Sequence, residues 1–322
     1  MADLEPTNKT NSKKFVDVKV EFSKNSRMAE YWNERGFRQY FKLLSNNNIK
    51  IPASFFNQQP ERATVEFFHL KNIEFGNWVN HEFRYNYIFS SIVSFLNMNE
   101  ILKFKHNIGF GVLNVAYGAR GAGKSSAHFD PRDLTININR FKRKDKPESK
   151  ELLNRSTNSV SPEFTLFLET GGMGAFAHEY GHFIDYSYGQ IFNMNAGTYW
   201  RETVHNFKKS DLQNKPENYC LQIIDILVNK PTGERTDYYI KMYEWSKEHS
   251  GFGDYWFRQT EIFARCFEAW MQLELKQAGV KDQFLTALKY ESVVYPDIKL
   301  INKISPIMKK VVSIVRDKLV NK

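Results

Sequence analysis

The chain has 322 residues, 42% of them hydrophobic and 27 of them phenylalanine, enough to bury a substantial core in one large domain or two modest ones. Two cysteines, Cys220 and Cys266, exclude a disulfide scaffold and a cysteine-rich zinc module, so any metal must be held by histidines and carboxylates. The net charge of +9 is scattered, with small clusters at Lys13–Lys14, Arg140–Lys146 and Lys309–Lys310, and reads as solvated surface rather than a nucleic-acid site.

The N-terminus, Met-Ala-Asp-Leu-Glu-Pro, lacks a basic stretch followed by an apolar run, so no secretory signal is expected. No apolar stretch is long enough to cross a bilayer; the longest, Tyr87–Leu96, is short and contains serines. The expectation is a soluble, cytoplasmic protein with no membrane partner.

Residues 1–14 are polar and expected to be disordered. Val16, Val18, Val20 and Phe22 alternate, predicting a strand over 15–22. An amphipathic helix is expected over 27–46, then a loop over 47–62. Val65–Ile73 is predicted as a strand, 80–104 as a helix, Phe110–Tyr117 as a strand before a glycine-rich turn, and Leu134–Ile138 as another strand. Residues 141–163 read as a polar connection. Helices are predicted over 173–187, 216–229, 234–248, 259–276 and in the basic tail at 296–322. The expected organisation is an N-terminal extension at 1–60, partly disordered, a main domain at 61–280 and a basic helical tail at 281–322.

Residues 178–182 read His-Glu-Tyr-Gly-His. On a helix, His178 and His182 lie one turn apart on one face and can share a zinc ion. Glu179 is then placed to act as general base on the metal-bound water. Phe176, Tyr180, Phe183 and Ile184 form an apolar face, and Asp185 extends the histidine face as an acceptor for a ligating imidazole. Gly181 costs about 1 kcal/mol of helix propensity relative to alanine, which makes sense where another backbone packs close by.

A catalytic zinc usually has three protein ligands. Gly189–Tyr199 contains no histidine, so the third is expected from a downstream carboxylate. Glu261 and Glu268, at i and i+7 of one predicted helix, both qualify.

Residues 118–125, Gly-Ala-Arg-Gly-Ala-Gly-Lys-Ser, match the P-loop pattern. A P-loop must open a helix, whereas here the chain runs on through Pro131 into an alternating strand, so nucleotide binding is disfavoured. His128 reads equally as a residue lining the cleft and as a loop histidine.

Several blocks in order give the chain a family resemblance. They are Ile73–Val79 with Arg84, Ala116–Gly121, Ala127–Pro131 leading to Thr135–Ile138, Gly172–Asp185 and Glu261–Glu268. The chain resembles the large polyvalent protein-associated domain family of zincin-like metallopeptidases of phages and mobile elements. The last two blocks are similar to the gluzincin arrangement of anthrax lethal factor.

That resemblance implies an α+β zincin-like domain over 61–280 acting on a peptide or protein substrate in a bacterial host cell. Zinc would be held by His178, His182 and Glu261, with Glu179 as base. Tyr255, offset by one residue from the lethal factor pattern, would assist as oxyanion donor. The alternative is a non-catalytic, zinc-stabilised phage or mobile-element protein whose basic tail binds nucleic acid; a P-loop NTPase at 118–125 ranks below both.

Overall fold

The computed structural model describes residues 60–139, 174–199, 215–249 and 253–320, except 78, 80, 121–124, 281, 283, 289 and 290. The elements expected over 15–22 and 27–46, the connection at 141–163 and nearly all of the N-terminal extension lie outside the described residues. What is described is α+β: seven α-helices with short 3₁₀ turns and one four-stranded mixed sheet.

Helix α1 (Pro60–Phe67) leads to β1 (Asn72–Phe75) and then to α2 (His81–Leu102). Strands β2 (Asn114–Tyr117), β3 (Ala127–Asp130) and β4 (Thr135–Ile138) follow. The expectation of a strand over Val65–Ile73 is corrected: Val65, Glu66 and Phe67 end a helix, a turn follows, and the strand begins only at Asn72. Proline at the first helical position suits a helix start. From there Ala63, Thr64 and Phe68 turn one buried side toward the core, so packing overrides the β propensity of Val65 and Phe67. The strand expected from Phe110 starts later too. Phe110 (φ 50°) and Gly111 (φ 72°) are left-handed and form a turn before β2.

The sheet order is β1-β2-β4-β3. β1, β2 and β4 run parallel, and β3 returns antiparallel along β4 with His128 opposite Asn137 and Phe129 opposite Ile136. β2 and β4 are buried on both faces, whereas β3 is an edge strand that pairs only with β4 among the described residues. β3 was not expected as a strand; four residues between a glycine loop and Asp130-Pro131 carry too little alternation to declare it.

Among the described residues, no helix directly follows the glycine loop. Of residues 118–125, 121–124 lie outside the described residues, but Ser125 and Ser126 lead directly into β3 and no helix opens there. Arg120 is held by both carboxylate oxygens of Glu74 (2.9 and 2.8 Å) and by Asp133 (2.7 Å), tying β1 to the loops around β2 and β4. The described residues thus provide no helix N-terminus to meet phosphate after this loop.

Five helices complete the fold. Helix α3 (Phe176–Ile191) carries the histidines. Helices α4 (Tyr219–Val228) and α5 (Asp237–Glu248) follow, and a 3₁₀ turn at Tyr255–Phe257 leads into α6 (Gln259–Gln277). The chain ends in α7 (Ile298–Leu319). The most extensive helix pairing is α3 on α6, and α3 also lies against β3 and β4.

The helix expected as a tail shares this core. Ile301, Ile304, Met308, Val311, Val312 and Val315 of α7 are buried, and α7 packs on α4, α3 and α6. Burying each such side chain contributes about 1.5–3 kcal/mol. No helix among the described residues is long and apolar enough to cross a membrane.

Candidate metal centre

The histidine helix starts without a side-chain cap. Its first N–H groups are met instead by the loop after α6. Ala177 N donates to Leu285 O (2.8 Å) and Gly174 N to Phe284 O (2.9 Å). Gly174 has φ 77°, and a Cβ there would meet Ala287 Cβ at 2.2 Å, so this contact requires glycine. The other end of the helix is tied by Tyr188, whose hydroxyl donates to Pro216 O. In the middle, Tyr180 Oη donates to Ile108 O (2.7 Å), anchoring α3 to the turn before β2.

Gly181 faces α6, where a Cβ would sit 3.0 Å from both Ala264 Cα and Phe267 Cβ. The close backbone approach expected at this glycine is present. It brings the residues one turn either side of Ala264 over the histidine face of α3.

His178, His182 and Glu261 meet at one point, each offering a ligand atom within 4.8 Å of the others. His178 Nε2 is 3.3 Å from Glu261 Oε2, and His182 Nε2 is 3.5 Å from Glu261 Oε1. Their side chains are 8, 14 and 13% exposed. The rings of the two histidines stand edge to face, 5.0 Å between centroids, and Phe129 of β3 lies parallel to His182 at 6.5 Å.

Three observations test whether these residues fit a zinc ion. Tetrahedral zinc with bonds of about 2.0–2.2 Å places its ligand atoms about 3.3–3.5 Å apart, which matches the two contacts to Glu261. Glu261 Oε2 is buried and accepts no hydrogen bond. The donor set, two imidazoles and a carboxylate, is one that zinc favours. The residues fit.

The electrostatics follow from crowding. Burial opposes a charged His178, but the carboxylates of Glu261 and Glu268 outweigh it and hold the imidazole well above its ordinary pKa. Burial would likewise raise Glu261; His182 and His178 overcome it and push the carboxyl far below the usual range. Glu179, beside the first histidine and buried, has its pKa raised by burial against the pull of His178 and His182, with His128 also acting on it.

Glu268 stands apart from the three converging ligand atoms. It lies on the far side of His178, with Oε2 3.7 Å from Nδ1. It accepts from Leu288 N (3.2 Å), Tyr295 Oη (3.2 Å) and Thr286 Oγ1 (3.4 Å), so the loop that caps α3 also fixes this carboxylate. Asp185 was expected beside an imidazole; instead its carboxylate accepts from Thr198 N (2.8 Å) and Oγ1 (2.7 Å). Burial raises Asp185 to about 6 against those hydrogen bonds and the nearby His182.

Tyr255 lies on the 3₁₀ turn before α6 with its ring edge-on to Trp256 at 5.1 Å. This places it just before the first turn of the Glu261 helix. His128 lies on the edge strand β3, which packs on α3.

No sequence motif gives Arg265 a role. It is fully buried, and it donates to Trp256 O (2.6 Å) and Val294 O (3.2 Å). Its NH1 group points to Glu261 Oε2 at 4.0 Å. One cation thus joins a candidate ligand to the segments bearing Tyr255 and Tyr295. Its position one turn after Glu261 was the only available signal.

A family model described as large polyvalent protein-associated domain 1 matches residues 248–319. The matched segment is similar to that domain and carries Glu261, Arg265, Glu268 and all of α7, while both histidines lie outside it. No curated protein and no solved structure matches the chain.

Proposed function

We propose that this protein is a zinc-dependent peptidase whose zinc is held by His178, His182 and Glu261. The observation that carries the reading is the convergence of these three side chains, one buried and two largely so, from two helices, with Glu179 adjacent on the histidine helix. The motif's resemblance to zincin-like metallopeptidases supports the same reaction. When bound, zinc supplies Lewis-acid polarisation of the scissile carbonyl and acidification of the attacking water.

The chain's own residues do the rest. Glu179 takes the proton of the attacking water and delivers it to the leaving amine. Glu268 Oε2 lies 3.7 Å from His178 Nδ1, and its charge favours the tautomer that carries the proton there and presents Nε2 to the ion. Arg265 holds the carboxylate of Glu261 in place from behind. β3, whose outer edge pairs with no strand among the described residues, offers a backbone edge on the α3 side of the sheet, where an extended peptide adds as a further strand. Tyr255 takes the role of oxyanion donor through the resemblance to lethal factor. By the same resemblance, the enzyme belongs to a phage or mobile element and works in a bacterial host cell.

The test pairs metal analysis with a peptide-library cleavage screen of wild type and Glu179→Gln. One zinc per chain in both proteins, with cleavage lost by a factor of about 10²–10⁴ in the variant, is expected. Equal cleavage by the two proteins, or a wild type that takes up no zinc, overturns the reading.

A further inference from the structure

Helix α7 holds five cations on its exposed side and a sixth, Arg316, half-buried. Lys299, Lys303, Lys309, Lys310 and Lys318 are exposed, while the apolar side is buried in the core. Against these cations the helix carries a single carboxylate, Asp317. Five of the chain's nine excess positive charges therefore sit on 22 residues.

Part of this charge is already neutralised. Lys309 pairs with Glu274 (3.0 Å), Arg316 pairs with Asp317 (2.7 Å), and Lys310 lies over the Tyr219 ring at 5.2 Å. Lys299, Lys303 and Lys318 have no ion pair among the described residues. At the C-terminal end the charge continues into an open cavity of about 570 Å³. Lys103, Lys105 and Arg316 line it together with Glu100 and Asp317; Lys103 pairs with Glu100 (3.3 Å), so Lys105 is its cation without an ion pair among the described residues.

We propose that this face of α7, continued by the Lys103–Lys105 turn, binds nucleic acid through its phosphates. Lys299 and Lys318 are separated by about 28 Å of helix, roughly eight base-pair steps of a duplex. A membrane surface is a poorer partner, because an interfacial helix must offer an apolar side to lipid and that of α7 is already consumed by the core. A protein partner would need buried apolar anchors. The exposed large apolar residues of this region, Ile298 and Val320, lie at its two ends and leave the middle polar. The contacts are to phosphate and carry no sequence preference. This surface is independent of the zinc reading.

The test uses the full chain and a fluorescently labelled 30-base-pair duplex, with anisotropy followed from 50 to 200 mM salt. Binding with a log–log salt slope of about −3 to −5 is expected, from three to five displaced counterions. The triple variant Lys299→Glu, Lys303→Glu, Lys310→Glu is expected to bind about tenfold or more weakly. A control reversal on α5, Lys241→Glu with Lys247→Glu, should leave binding unchanged. Circular dichroism verifies that both variants fold. Absence of duplex binding at 50 mM salt, equal binding by the triple variant, or tighter binding to anionic vesicles or polyglutamate than to the duplex overturns the proposal.

Discussion

Gly181 of the histidine helix lies so close to Ala264 of the glutamate helix that a Cβ would stand 3.0 Å from the Ala264 Cα. The candidate centre depends on this approach, because Glu261 reaches the histidines only while the two helices stay in contact here. Gly181→Ala gains about 1 kcal/mol of helix propensity and loses about 1–3 kcal/mol to overpacking. A net loss of about 1 kcal/mol is expected, and a clearly larger one for Gly181→Val. Urea denaturation checks the order, and zinc affinity should fall in the same order. A valine variant as stable and as zinc-avid as wild type would show that the helices can separate without cost.

Glu261 and Glu268 are predicted to separate cleanly by substitution. Glu261→Ala removes a ligand, so zinc stoichiometry should collapse. Glu268→Gln keeps the acceptor for Leu288 N and Tyr295 Oη but weakens its hold on His178 Nδ1. Stoichiometry should stay at one while affinity drops about 10–100-fold, measured by competition with a chelator. Loss of zinc from the Glu268 variant alone would reverse the assignment of the two glutamates.

Much of this centre was legible in the sequence because helical spacing is a rigid ruler. His178 and His182 share a face by arithmetic, and Glu261 with Glu268 do so over two turns. Gly181 announced a close neighbour. Spacing within one helix cannot say what a second helix brings opposite it, so the choice between the two glutamates needed the crossing at Ala264. Nor could it show that a loop at 284–288 caps α3 and grips Glu268. Asp185 was misplaced for the same reason: its partner, Thr198, lies on the chain returning after α3. The short strands were the least readable elements, since four residues such as Ala127–Asp130 hold only two alternations.

Arg265 is expected to be among the most sensitive positions outside the ligands. Arg265→Met leaves Trp256 O and Val294 O without their donor and removes the cation behind Glu261. Truncating one member of a buried charge pair costs about 3–5 kcal/mol. Arg265→Lys, which keeps the charge but not the two-armed geometry, should recover part of it. The readouts are urea denaturation and the visible spectrum of the cobalt-loaded protein, which reports ligand geometry. An Arg265→Met spectrum and stability equal to wild type would remove the residue from the account.

The pH dependence of folding offers a test at Asp185. Burial raises this carboxyl from 3.8 to about 6 in the folded chain, against the hydrogen bonds from Thr198. A folded pKa above the unfolded one means that the native state binds the proton more tightly. The resulting stabilisation is fully present below about pH 3.8 and is lost as pH rises through about 6. At neutral pH the ionised carboxylate is therefore buried at a cost, about 3 kcal/mol at most for a shift of this size. Asp185→Asn can still accept from Thr198 N and can donate to Thr198 Oγ1. In metal-free protein, its stability should exceed that of wild type at pH 7.5, with the difference shrinking toward pH 4.5. Denaturant titrations at the two pH values measure it. A difference that does not change with pH would mean that Asp185 ionises as readily in the folded chain as in the unfolded one.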